Sequence, residues 1–241
     1  MQNSLSVSLS AQISLQRRLE TIAANIANAN TPGYRVDGVT FATELTKAGD
    51  ARVSFVNEGD GYISRRTGPM IPTGNPLDVA VQGDGWLAVQ SNGQNIYTRD
   101  GRMTMNDTGA LLSITGQPVL DASGAPIQLD PAAGPPEITR DGMISQGGRQ
   151  LGAVGLFALD PNAKLTRAGT SGFTSDKAAQ PILDFAVNGV VQGVVEGANV
   201  DPVTEMTRLI AVTRNFDGVT NGVAQTEGSL QDAIKTLGGA A

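Results

Sequence analysis

Near its C-terminus this chain holds a helical period longer than a single globular helix needs. Leu209, Val212, Phe216, Val219, Val223, Thr226, Leu230, Ala233 and Leu237 alternate spacings of three and four, the pattern of a helix that buries one narrow stripe. Asp201 stands where an N-cap belongs and Pro202 where the first helical residue belongs, so the helix is predicted from Asp201 to about Leu237. At 1.5 Å per residue it is about 55 Å long. Gly218, Gly222 and Gly228 fall inside it, each costing about 1 kcal/mol relative to Ala. Alone such a helix is marginal, and its stripe requires another long helix.

The opposite end of the chain offers one. From Ser4 to Asn30 there is neither Gly nor Pro, and Leu15, Leu19, Ile22, Ile26 and Ala29 recur at spacings of 4, 3, 4 and 3. Upstream, Leu5, Leu9 and Ile13 are spaced by four, so the stripe drifts around the helix. A helix of about 22 to 26 residues, roughly 35 Å, is predicted. It stops at Asn30-Thr31-Pro32-Gly33, where Pro restricts its predecessor and Gly permits a tight turn.

Between these ends, from Tyr34 to about Gln192, the helical period is absent. Short runs such as Leu77–Val81, Trp86–Val89, Leu111–Ile114 and Val119–Leu120 are separated by Gly and Pro, which predicts strands with a turn every 8 to 12 residues or so. Asp84-Gly85, Asn92-Gly93, Asp100-Gly101 and Asp141-Gly142 supply the positive-φ chemistry of hairpin turns. The predicted fold is a mainly β central body, multi-stranded and hairpin-rich, flanked by long N- and C-terminal α-helices that form a coiled-coil-like terminal domain. The expected divisions are 1–33 for the N-terminal helix, 34–72 for an extended or β linker, 73–192 for the body and 193–241 for the C-terminal helix.

Composition narrows the chemistry. The 241 residues include no His and no Cys, which removes imidazole bases, thiolate nucleophiles, disulfides and iron–sulfur ligation. Aromatics make up 4%, a poor supply for a deep ligand pocket. With 17 Lys and Arg against 23 Asp and Glu the net charge is −6, so no broad cationic field exists for nucleic acid. Arg17-Arg18 and Arg65-Arg66 read as solvated surface. No apolar run is long enough to insert in a membrane, and Met1-Gln2-Asn3-Ser4-Leu5 lacks the features of a cleaved secretory signal.

Several segments are recognisable as written. Ala24-Asn25-Ile26-Ala27-Asn28-Ala29-Asn30-Thr31-Pro32-Gly33-Tyr34-Arg35 resembles the N-terminal motif of bacterial flagellar rod and hook proteins. Thr73-Gly74-Asn75-Pro76-Leu77-Asp78-Val79-Ala80-Val81-Gln82-Gly83-Asp84-Gly85-Trp86 resembles the central motif of that family, and Tyr97-Thr98-Arg99-Asp100-Gly101-Arg102 continues it. Val195-Glu196-Gly197-Ala198-Asn199-Val200-Asp201-Pro202-Val203 is similar to the family's entry to its last helix. Short length and the Thr-Pro-Gly-Tyr form favour the proximal-rod branch over the distal rod or the hook. The resemblance implies a non-enzymatic subunit of the basal-body rod, the shaft that crosses the periplasm and carries torque. It implies other rod subunits as partners, proximal and distal, and export by the flagellar type III apparatus without a cleaved signal. No cofactor, metal, nucleic acid or small-molecule substrate is expected.

On this reading the assembly interface comprises Leu15, Leu19, Ile22 and Ile26 with Leu209, Val212, Phe216, Val219, Val223, Leu230 and Leu237. Two other classes are weighed against it. Asp107-Thr108-Gly109 matches the short motif of aspartic proteases, which would make Asp107 a hydrolytic carboxylate, although a turn between strands accounts for it better. A binding module on a helical stalk is the third reading. Asp160-Pro161-Asn162 lacks the carboxylate spacing of a calcium loop, and Trp86, heading an apolar run, is expected to be packed.

Overall fold

The computed structural model describes the backbone of residues 2–48 and 51–239, and side chains at 7–39, 61–229, 231–232 and 235–239. The chain forms two compact units. One takes in the N-terminal helix, residues 37–62 and the chain from Asp201. The other takes in 28–36 and 63–200.

In the helical unit, α1 runs Gln2–Ala27 and α2 runs Pro202–Gly238. Following α1 in the chain, β1 (Asp37–Ala48) and β2 (Ala51–Ile63) pair with each other. The two helices pack together. The predicted cap of α2 is in place: Asp201 accepts from the Val203 and Thr204 amides at 3.1 and 3.4 Å, with Pro202 opening the helix. The Thr204 hydroxyl, then the amides, hold the Asp201 carboxyl below its ordinary range. The cap's contribution to stability is therefore complete above the ordinary carboxylate range and is lost as pH falls from there through the lowered value of the folded state. α1 ends where the Thr31 amide donates to the Asn28 carbonyl at 3.0 Å.

The body is built of antiparallel strands. These are β3 (Met70–Pro72), β4 (Val79–Gln82), β5 (Trp86–Ser91), β6 (Gln94–Thr98), β7 (Met103–Met105), β8 (Leu111–Ser113), β9 (Glu137–Ile138) and β10 (Met143–Gln146). There follow β11 (Arg149–Ala153), β12 (Leu156–Ala158), β13 (Leu165–Ala168), β14 (Gly172–Ser175), β15 (Gln180–Pro181), β16 (Gly189–Gln192) and β17 (Val194–Glu196). The largest sheet has six strands in the order β13-β14-β6-β5-β12-β15, and a three-stranded sheet runs β11-β10-β9. The pairs β16-β4, β17-β3 and β7-β8 complete the unit.

Turn chemistry sorts the predicted hairpins. Asn92 at φ 50° and Gly93 at φ 76° join β5 to β6, with Ser91 opposite Gln94, as a two-residue hairpin requires. Asp141-Gly142 joins the paired β9 and β10, with Gly142 at φ 83°. Asp84-Gly85 and Asp100-Gly101 differ, because the strands they connect are not neighbours in a sheet. They are corners between sheets.

The apolar core gathers Val79, Val81, Leu87, Val89, Leu111, Ile144 and Leu156 among others. One part of it follows an eight-residue rhythm. The Leu111 amide donates to the Ile127 carbonyl at 3.0 Å, Ile127 to Val119 at 3.1 Å, and Val119 back to Leu111 at 3.0 Å. Three successive passes thus close a ring of hydrogen bonds about buried side chains, satisfying backbone groups that short strands leave over.

Candidate assembly element and the buried ion cluster of the body

In α2 the less exposed positions are Glu205, Leu209, Val212, Phe216, Val219, Val223 and Thr226, with their neighbours in solvent. Val212 is the most covered of the apolar ones at 3% exposure. In α1, Ser14, Ile22 and Asn25 are buried, and Leu15, Leu19 and Ile26 are half-buried. The proposed interface residues therefore lie on the covered stripes of a helix pair within one chain. Leu237 does not share this setting, being 83% exposed. The side chain of Leu230 lies outside the described residues.

Two polar contacts set the register of the pair. Gln12 Nε2 approaches Thr220 Oγ1 at 3.4 Å, and Asn25 Nδ2 approaches Glu205 Oε2 at 3.5 Å. The helices are thus antiparallel. Asn25 also exchanges two bonds with the start of β1, donating to the Asp37 carbonyl at 2.9 Å and accepting from its amide at 3.0 Å. Glu205, itself buried, accepts from Arg208 at 2.6 Å. A buried carboxylate needs such partners.

Within the body, the recognised motifs meet around a single carboxylate. Glu196 is fully buried and lies 2.6 Å from Arg35 and 3.1 Å from Arg99, both also buried. Its Oε1 accepts from the Arg35 guanidinium and the Gly68 amide, and its Oε2 from Arg99. Arg99 continues to the carbonyls of Val81 at 3.1 Å and Gly83 at 2.6 Å. Two cations face one anion, and burial pushes both guanidinium pKa values down while Glu196 opposes the shift. Part of the excess positive charge rests on Trp86, whose ring centre is 5.6 Å from the Arg35 guanidinium carbon and 5.1 Å from that of Arg99. Such contacts strengthen when desolvated.

The stack extends further. Trp86 meets Phe173 edge to face at 5.6 Å, and Arg167 lies over Phe173 and Tyr34 at 5.0 and 4.5 Å. Arg167 also donates to the Arg35 carbonyl at 2.7 Å. Trp86 is packed, as its place in the sequence predicts, and the turn at Asn75 is a corner closed by the Asp78 amide at 3.0 Å. Of the two basic pairs read as surface, Arg65 departs from that reading by donating to the Leu159 and Ala163 carbonyls.

Chain crossings here leave no room for side chains. Gly33, at φ 70°, donates its amide to the Glu196 carbonyl at 2.7 Å, and a Cβ on it would stand 2.2 Å from the Asp100 nitrogen. Gly33→Ala combines a left-handed backbone with a backbone clash and is expected to cost about 3 kcal/mol. Thermal melting of the full chain checks it; an unchanged midpoint would contradict the packing described.

Asp107 sits in an exposed turn shaped by Asn106, whose Oδ1 accepts from the Thr108 hydroxyl and the Thr108 and Ala110 amides. It is the turn that the sequence favours over a catalytic motif. Among the described residues no helix is long and apolar enough to cross a membrane, and no group of three acidic residues is placed to hold a metal.

Comparison with known proteins covers the same segments. Residues 5–35 match the flagella basal body rod protein family, 80–146 the flagellar hook protein FlgE/F/G D1 domain, and 191–236 the flagellar basal body rod FlgEFG protein C-terminal family. The flagellar basal-body rod protein FlgF of Mesorhizobium japonicum is 48% identical over 99% of both chains. Its counterparts in Rhizobium meliloti and Caulobacter vibrioides are 44% and 38% identical, also over 99% of both chains.

Proposed function

Because the chain belongs to the FlgF group of flagellar basal-body rod proteins, as a structural rod subunit and not an enzyme, we propose that it assembles through its helical unit and that the β body serves as cladding. Membership of the rod and hook family implies assembly with other axial flagellar proteins. The neighbours proposed here are copies of itself and the adjoining proximal and distal rod subunits. Export by the flagellar type III apparatus, without a cleaved leader, belongs to the same reading.

The observation that carries the proposal is the helix pair itself. Its covered residues, Leu15, Leu19, Ile22, Ile26, Leu209, Val212, Phe216, Val219 and Val223, hold two helices in one register. They act in assembly by presenting that pair as a single stiff rib. A shaft made of ribs side by side shares torque over many packed side chains, each contributing a small van der Waals gain. Leu237 is the member of the proposed set that is open to a neighbour in the described chain.

The test is genetic and biochemical. Cells lacking this chain are expected to build no complete rod and not to swim, and purified basal bodies from complemented cells are expected to contain it. Swimming without the chain, or its absence from basal bodies of swimming cells, would overturn the proposal.

A further inference from the structure

The chain passes between the helical unit and the body four times, after residues 27, 36, 62 and 200. Inside the body, one side chain is bonded to the segments that border three of those passages. Asn199 Oδ1 accepts from the Val36 amide at 2.7 Å, and Nδ2 donates to Ser64 Oγ at 3.2 Å and to the Arg66 carbonyl at 2.7 Å. The Asn199 amide donates to the Tyr34 carbonyl at 3.2 Å, and the Ser64 amide donates to the Val36 carbonyl at 2.9 Å. Both N–H donors of the side chain and its oxygen are thus committed, to residues 163, 135 and 133 positions away.

The helical unit fastens its own side of the same passages. There Asn25 holds Asp37 by bonds of 2.9 and 3.0 Å and reaches Glu205 at 3.5 Å, and Asp201 caps α2. Local opening spreads along a chain from a released end and halts where bonds to distant segments must break together. Once the helical unit opens, the body's chain ends at 36 and 200 are released, and Asn199 is the first such group that fraying meets. Behind it stand the Gly33 amide on the Glu196 carbonyl at 2.7 Å, the Gly197 amide on the Pro69 carbonyl at 2.8 Å, and then the buried ion cluster.

We propose that Asn199 is a conformational stop: it keeps opening of the helical unit from running into the body, so that the two units open separately. A subunit built this way rearranges its helices and keeps its body intact. The stop differs from an ordinary stabilising bond in when it matters. An ordinary bond contributes equally whether the helices are folded or open. A stop contributes little while Asn25 and the Asp201 cap pin the far side of the passages, and much once that pinning is gone.

Amide hydrogen exchange in the full chain separates the two. Wild type, Asn199→Ala, Val212→Asp to open the helix pair, and the double variant are compared at Gly33, Ser64 and Gly197, whose amides donate to the Glu196, Val36 and Pro69 carbonyls and not to Asn199. Helical ellipticity reports the opening, and Phe216→Asp is added if Val212→Asp alone leaves the pair closed. Each single variant is expected to keep near wild-type protection at the three amides, and the double variant to lose about tenfold or more. Asn75→Ala, whose side chain bonds within its own turn, is the control and should add nothing to Val212→Asp. Loss of protection in Val212→Asp alone would show that no stop exists. No further loss in the double variant would place the stop elsewhere. Equal loss in Asn199→Ala alone, or a body that Trp86 fluorescence shows to be unfolded by that change, would make Asn199 an ordinary structural bond. Each of these three results overturns the proposal. None touches the rod assignment, which stands or falls on whether the wild-type chain is present in basal bodies.

Discussion

Glu196→Gln is expected to lower the melting midpoint of the body by about 10 °C, the consequence of losing about 3–5 kcal/mol when one partner leaves a buried ion cluster. The side chain keeps its size, so packing alone predicts little change. What changes is charge: Arg35 and Arg99 are buried beside each other with Glu196 as their shared counter-ion. Already Nε and Nη1 of Arg35 and Nε of Arg99 make no hydrogen bond, so little is available to compensate. Arg149→Ala is the control, since its pair with Asp130 is 73% and 38% exposed and is worth no more than about 1 kcal/mol. Both are read by the fluorescence of Trp86, the chain's one tryptophan, which touches the cluster. Equal midpoints for Glu196→Gln and wild type would mean that the cluster does not hold the body together.

Val212→Asp is expected to open the helical unit and leave the β body folded. Val212 is the most covered apolar residue on the α2 stripe, and a carboxylate there either loses its hydration or opens the helix pair, at a cost of several kcal/mol. Ellipticity at the helical band should fall, while the Trp86 transition should stay at its wild-type midpoint, because Trp86 belongs to the other compact unit. Swimming should be lost. Phe216→Asp and Val223→Asp, half-buried on the same stripe, should act in the same direction with smaller effect. Retained swimming would remove the helix pair from the mechanism.

How much of this could be read beforehand follows from which forces are local. Both helices and the Asp201 cap were legible because helical periods, caps and Pro-Gly breaks act within a few residues, although α1 ends at Ala27, three residues ahead of the break expected after Asn30. From Leu209 to Thr226 the covered stripe on α2 is the one its spacing predicts, and Leu237 falls outside it. Hairpin turns were legible only in part: Asn92-Gly93 turns back on itself, whereas Asp84-Gly85 and Asp100-Gly101 carry the chain to another sheet, a choice set by distant partners. The ion cluster was out of reach. Arg35, Arg99 and Glu196 lie inside recognised motifs, but Glu196 is separated by 161 and 97 positions from the residues it binds, and a lone charge in a strand does not name its partner. The one local hint was their setting beside Tyr34, Tyr97 and Val195, where a charge must be buried with its neighbours. The drift of Leu9 and Ile13 off the α1 seam was visible too, and both side chains are about half exposed.

Amide hydrogen exchange, compared between the free chain and the chain in purified basal bodies, reaches the central claim most directly. Assembly through the helix pair predicts added protection across 2–27 and 202–238 and little change across strands β5 and β6. Added protection confined to the β strands, with both helices exchanging as they do in the free chain, would contradict it.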